Sequence, residues 1–490
     1  MRKVMDVQMK IGQVDISRIK IDLRCRDEIP QALLGLKHIY CTDELRVKVF
    51  NILKEAIVKN ADPNNGRPGM DLWRILVLGV IRLSCNWNYD KLQEIANNHK
   101  TLRLMLGHSP LLEADYYYAL QTIKDNVSLF TVELFDRINQ VVVDAGHVLV
   151  KKKEDILRGR CDSFVVETDV HYPTDINLLL DAISKAISLV VQLFDQYGQF
   201  GWRQSGLHLR QIKKFYRRAQ KSGHSTSKDK AKRQNQEKKR IKAYRTYIER
   251  VNSSLDKVAE SVESLRSKGV WEVELAQVER FIAHAERQID QINRRVSDKE
   301  TISHKEKVFS VFQEHTEWIS KGKAGVPVEL GLRVCVMEDQ YQFILHHQVM
   351  EKQTDDQVAV VMVQQTQKRF SDFRVCSFDK GFHSPSNQVQ LRELLDLSVL
   401  PKKGRLSEKD KEREYSPEFV RAGKKHSAVE SAINGLEVCG LDRCPDHGID
   451  GFKRYVALAV LSRNIQRLGS IIRKREIRSQ MLRARRKKAA

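Results

Sequence analysis

The feature that most constrains this chain is a change of texture that happens twice. Ser163-Phe-Val-Val-Glu-Thr-Asp-Val170 reads as a strand rich in β-branched residues. Comparable sequence returns only at Glu329-Leu-Gly-Leu-Arg-Val-Cys-Val-Met337 and Gln340-Tyr-Gln-Phe-Ile-Leu-His-His347, with Glu338-Asp339 as the expected hairpin turn between them. Phe373-Arg-Val-Cys-Ser-Phe378 and Leu397–Leu400 follow as further strands, and Asp356–Arg369 reads as a helix. The long stretch between the first strand and the rest has helical periodicity. The expectation is an α+β chain whose β-containing domain is split by a helical insertion.

That insertion is also where the charge collects. The 490-residue chain carries a formal +22, and residues 201–250 alone hold 17 Lys/Arg against 3 Asp/Glu. Trp202, Phe215, Tyr216, Tyr244 and Tyr247 interleave with those cations, as on a surface that tracks nucleic acid; a solvated connector is the alternative, strongest for Ser222–Glu237. Lys213, Lys214, Arg217 and Arg218 are DNA-contact candidates in this block. Val251, Leu255, Val258, Val262 and Leu265, then Leu275 to Val296, repeat at heptad-like steps around the break Ser267-Lys-Gly-Val270. An antiparallel helical hairpin is expected there.

Nothing in the chain predicts a membrane span. The apolar runs Leu72–Leu83 and Ile176–Phe194 are interrupted by Arg74, Arg82, Asp181 and Lys185, and the N-terminus lacks an apolar core of signal-peptide length. Eight cysteines without a CxxC pair suit a reducing compartment, and Cys439, Cys444 and His447 match no common zinc spacing. The expected location is cytoplasmic. Upstream, Leu72, Ile75, Leu76, Val80 and Leu83 mark a helix, followed after Asn86-Trp-Asn88 by Tyr89–Asn98 and a turn from Thr101. Short helices with a polar break suit a helix-turn-helix or, equally, an ordinary three-helix packing unit.

Two strands end on an aspartate: Asp169 in Val166-Glu-Thr-Asp-Val-His-Tyr-Pro-Thr-Asp175, and Asp379 in Ser377-Phe-Asp-Lys-Gly-Phe-His-Ser384. A third acid, Glu430, falls on a helix. Three converging carboxylates offer the hard oxygen ligands that Mg²⁺ takes while leaving positions for water and phosphate. Two such ions, about 3.5–4 Å apart, serve in-line displacement at phosphorus. Each acid also has an ordinary role as a turn, cap or surface residue. Glu167 projects from the same side as Asp169 and is an alternative to it; His383 and Asn387 are phosphate-contact candidates, as are Lys402, Lys403 and Arg405.

Four pieces, in order, resemble the DDE transposases of bacterial insertion sequences, the insertion-bearing ISNCY-type and related groups. They are Gly66-Arg-Pro-Gly-Met70 through Leu106-Gly107, and Thr168-Asp-Val-His-Tyr-Pro-Thr-Asp-Ile-Asn-Leu-Leu179 around the first aspartate. Then come Ser377-Phe-Asp-Lys-Gly-Phe-His-Ser-Pro-Ser-Asn387 around the second, and His426-Ser-Ala-Val-Glu-Ser-Ala-Ile-Asn434 with Gly440-Leu-Asp-Arg443, Gly451 and Asn464-Ile-Gln-Arg-Leu-Gly469 around the glutamate. The motif match favours Asp169 over Glu167.

The resemblance implies an RNase H-like catalytic domain, with Asp169, Asp379 and Glu430 holding Mg²⁺ (Mn²⁺ as substitute). It implies double-stranded DNA, both transposon ends and target, as substrate, a homodimer on that DNA, and a bacterial, nucleoid-associated protein. The implied layout is an N-terminal extension (1–65), a helical DNA-binding region (66–158), the first part of the catalytic domain (159–200), the basic insertion (201–325), the second part (326–470) and a basic tail (471–490). Some relatives place Arg before and Lys after the glutamate; here His426 and Glu437 stand at those steps, so accessory roles do not transfer. An inactive transposase-derived DNA-binding protein and an RNase H-like nuclease are the rival readings. All of it requires Asp169, Asp379 and Glu430 to meet in one pocket.

Overall fold

The structure, a computed structural model, describes residues 3–5, 9, 11–55, 69–152, 155–223, 227–320 and 327–489. Residues 66–68 of the first motif and 224–226 of the basic block lie outside the described residues. The chain forms two compact units, Met1–Asp169 with Ile319–Ala490, and the inserted Val170–Trp318.

The discontinuous unit is α+β. Its strands are β1 (Leu157–Thr168), β2 (Glu317–Ser320), β3 (Val328–Asp339), β4 (Ile344–Met350), β5 (Phe373–Phe378), β6 (Leu397–Val399) and β7 (Arg443–Cys444). They form one mixed sheet in the order β2-β3-β1-β5-β6, with β4 also on β3 and β7 on β1. β1 runs antiparallel to β3 and parallel to β5, which is parallel to β6.

β1 is longer than its apolar run suggests and begins at Leu157, not Ser163. Leu157, Gly159 and Cys161 are buried, while Arg158, Arg160 and Asp162 face the other way. That is strand alternation. One of its charged residues has a partner across the sheet: Arg160 lies opposite Glu338 on β3 and pairs with it at 2.5 Å.

The β3–β4 turn also falls later than expected. Glu338 and Asp339 remain in the strand, and Gln342, with φ +68°, makes the reversal. Asp339 fixes it by accepting the Tyr341 and Phe343 amide N–H groups at 2.8 and 2.9 Å while contacting His147 Nε2 at 2.6 Å.

The helix Leu72–Ser84 is buried at every position except Arg74, and its apolar residues share one core cluster with the sheet. This helix therefore packs in the same core as the sheet. The C-terminal helix, Gly448–Ala489, crosses Glu28–Cys41 at Gly469, where a Cβ would sit 1.9 Å from the Gln31 carbonyl oxygen. Only glycine admits that approach. Asn464 on the same helix accepts the Ile344 N–H at 2.9 Å and donates to Asn139 at 2.7 Å, so this motif residue serves packing.

The inserted unit is helical. Asp175–Gln196, Ser205–Lys221, Lys230–Ser267 and Glu272–Val296 bury a second core that includes Leu179, Ile183, Val190, Val251, Val258 and Leu275. The last two helices form the expected hairpin. Asp175–Gln196 packs here, ahead of the expected boundary at 201. It is long and apolar enough to cross a membrane, but its apolar residues supply much of this core. Trp202 donates Nε1–H to Ser261 at 2.9 Å, so that aromatic is structural.

Candidate active site

The acids that meet are set by strand register. Phe378, the last residue of β5, pairs with Cys161 of β1, which places Asp379 beside Asp162. Both side chains leave the sheet on the face opposite the buried Phe378 and Cys161. Helix Ala428–Leu436 packs on β1 and carries Glu430 in its first turn. Asp355, at the start of helix Asp355–Arg369, accepts the Ser163 hydroxyl at 2.6 Å.

Electrostatics report the same neighbourhood. The Asp162 carboxyl is pushed up to about 6, first by burial, and further by the charges of Asp379, Asp355 and Glu430. The Ser163 N–H, donating to it at 2.8 Å, acts the other way. His426 closes the group from the helix Pro417–His426, with Nδ1 3.0 Å from the Ser377 hydroxyl. Burial holds its imidazole below the ordinary range, opposed by Asp379 and Glu430.

Asp169 is elsewhere. It lies seven residues beyond Asp162, roughly 23 Å along an extended strand. Its side chain is 62% exposed and faces Arg443 at 3.7 Å, while Glu167 takes the same arginine at 3.1 Å. The expectation that Asp169, Asp379 and Glu430 share a pocket is corrected: Asp379 and Glu430 gather around Asp162. The strand expected from the sequence begins one residue after Asp162, which leaves the aspartate as strand flank. The alternation of Leu157, Gly159 and Cys161 was the signal that would have found it.

The other candidates divide. Lys402 pairs with Asp410 at 2.5 Å, Lys403 donates to the Gly381 carbonyl at 3.4 Å beside Asp379, and Arg405 is exposed. Asn387 donates to the Asp356 and Phe382 carbonyls and fixes the loop after Asp379; His383 contacts Gln388 at 3.3 Å. Lys213, Lys214, Arg217 and Arg218 are exposed on Ser205–Lys221 in the helical unit.

The donor set suits a hard divalent cation: carboxylate oxygens on one strand, at the end of the adjacent one and on a helix, one of them destabilised as an anion by burial and then by its neighbours. Among the described residues no three Asp, Glu, His or Cys side chains already meet at ligand distance. Comparison of the chain with protein-family models, with curated proteins and with solved structures finds no match in any of the three.

Proposed function

We propose that this chain is a DNA transposase of the DDE type, cutting and joining phosphodiester bonds with Mg²⁺ held by Asp162, Asp379 and Glu430. The observation that carries the reading is the pairing of β1 with β5, which sets Asp162 and Asp379 side by side on one sheet face under Glu430. The sheet order supports reading the domain as RNase H-like, interrupted after its first strand by the helical unit. The ordered motifs around Asp379 and Glu430 and the net charge of +22 point to DNA as the polyanion.

The cation, when bound, lowers the pKa of an attacking water or hydroxyl and offsets charge at the phosphate. The protein's part is placement. β1 and β5 fix two carboxylates through backbone hydrogen bonds, a more rigid mounting than loops offer. Asp355 holds the Ser163 hydroxyl beside Asp162. Ser377 and His426 hold each other, setting the end of the helix that precedes Glu430. Lys403, bonded to the Gly381 carbonyl, brings a cation to the loop after Asp379.

The test is a labelled duplex carrying the element's terminal sequence, incubated with Mg²⁺ and a plasmid. Wild type is expected to nick the end and join it to the plasmid, and Asp379→Asn to do neither. Nicking without joined product would reduce the reading to a nuclease. Equal activity of the variant would remove it.

A further inference from the structure

Beside the carboxylates the same sheet face opens into a cleft of about 390 Å³. Its floor follows the β-sheet register. Arg158 of β1 aligns with Val375 of β5 and Leu397 of β6; one step on, Arg160 aligns with Ser377; one step further come Asp162 and Asp379. Residues two apart on a strand share a face and stand roughly 6.6 Å from each other. Asp162, Arg160 and Arg158 therefore form a line leading away from the acids. The wall is the helix Pro417–His426, which turns Glu418, Arg421, Ala422 and Lys425 toward the cleft at helical spacing.

Charge in the cleft is lopsided. Arg160 is offset by Glu338, while among the described residues the side chains of Arg158 and Lys425 form no salt bridge and Arg421 bonds the Pro417 carbonyl at 3.1 Å and no acid. Glu418 is the one acid among the lining residues. Three available cations over a floor of Val375, Leu397 and Gly159 suit a chain of phosphates joined by apolar sugars.

The geometry points to a nucleic-acid strand lying in this cleft, its backbone phosphates on Arg158, Arg421 and Lys425 and its path leading to the carboxylates. This rests on the transposase reading and adds to it the track of the strand flanking the reacting bond. Arg158 and Asp162, four residues and about 13 Å apart on β1, let one extended strand reach both the cations and the acids with more than one phosphate step between them.

The experiment uses the full chain, EDTA and a fluorescein-labelled oligodeoxythymidylate, with binding followed by anisotropy across a salt series. Neutralising Arg158, Arg421 and Lys425 together to Gln is expected to reduce the salt slope by about 2, at roughly 0.7 per single-strand phosphate contact. Glu418→Gln is expected to tighten binding. Should the triple variant fold poorly, the exposed Arg158→Gln alone is expected to reduce the slope by about 0.7.

A 4-thiothymidine in the same oligonucleotide is expected to crosslink to β1 or to Pro417–His426. An unchanged slope, or crosslinks confined to the helical unit, overturns the proposal. Because no metal is present, the arms separate. A lost slope with no Mg²⁺-dependent cutting by wild type keeps the cleft and removes the catalytic reading. Cutting with an unchanged slope removes the cleft alone.

Discussion

β1 carries an aspartate at its middle and another at its exit. Burial, and further the charges of Asp379, Asp355 and Glu430, make the Asp162 carboxyl costly to ionise. Asp169 lies just past the strand, mostly in solvent, with Arg443 already opposite it. The two have the same chemistry and different neighbours. In the proposed reading the acid that matters lies where an adjacent parallel strand ends, not where its own strand ends, because the first position has a second carboxylate alongside.

The sharpest way to break this contrast is to neutralise each in turn. Asp162→Asn is expected to lower Mg²⁺-dependent cleavage by a factor of about 10³ or more, a loss of roughly 4 kcal/mol in transition-state stabilisation. Asp169→Asn is expected to stay within about threefold of wild type. The reverse result, read on the same labelled duplex, would put the metal at the exit of β1.

Much of this was legible in the sequence. The strand Phe373–Phe378 is mostly apolar up to Asp379, and the helix around Glu430 and the hairpin after Val251 have clean periodicity. All depend on local pattern. Asp162 was hidden because the first half of β1, Leu157-Arg-Gly-Arg-Cys-Asp162, is half charged. What makes it a strand is backbone pairing with β3 and β5, distant in the chain and adjacent across the sheet. The helix Leu72–Ser84 is legible from its periodicity, but its all-round burial comes from partners such as the C-terminal helix that no local window contains.

The second test moves to the ion pairs that flank the two aspartates. Near Asp162, Arg160 meets Glu338 at 2.5 Å, and Glu338 is only 2% exposed. Burial nevertheless pushes the Glu338 carboxyl up from its ordinary 4.5 to about 7, outweighing the pull of Arg160, with Asp339 adding to the rise. An acid with a raised folded pKa favours folding most below its unfolded value, and that contribution is lost as pH rises through the folded one. The window here is pH 4.5 to about 7. Wild type is expected to lose about 2–3 kcal/mol across it from this group, and Glu338→Gln is not. Urea midpoints at pH 5 and pH 8 decide, taken as wild type minus variant so that other titrating groups cancel. Parallel slopes would mean that Arg160 fully compensates the buried charge.

The smallest effect belongs to the exit. Arg443 reaches Glu167 at 3.1 Å and Asp169 at 3.7 Å, but more than half of its side chain is in solvent. Water screens both attractions, and holding a long side chain in place offsets part of the gain, so such pairs contribute about 0–1 kcal/mol. Arg443→Ala is expected to lower stability by less than about 1 kcal/mol and to leave cleavage unchanged, because β7 joins β1 through backbone bonds that the substitution spares. A loss above about 2 kcal/mol would show that the exit of β1 is covered in the working protein, and Asp169 would then regain a claim to a partner beyond Arg443.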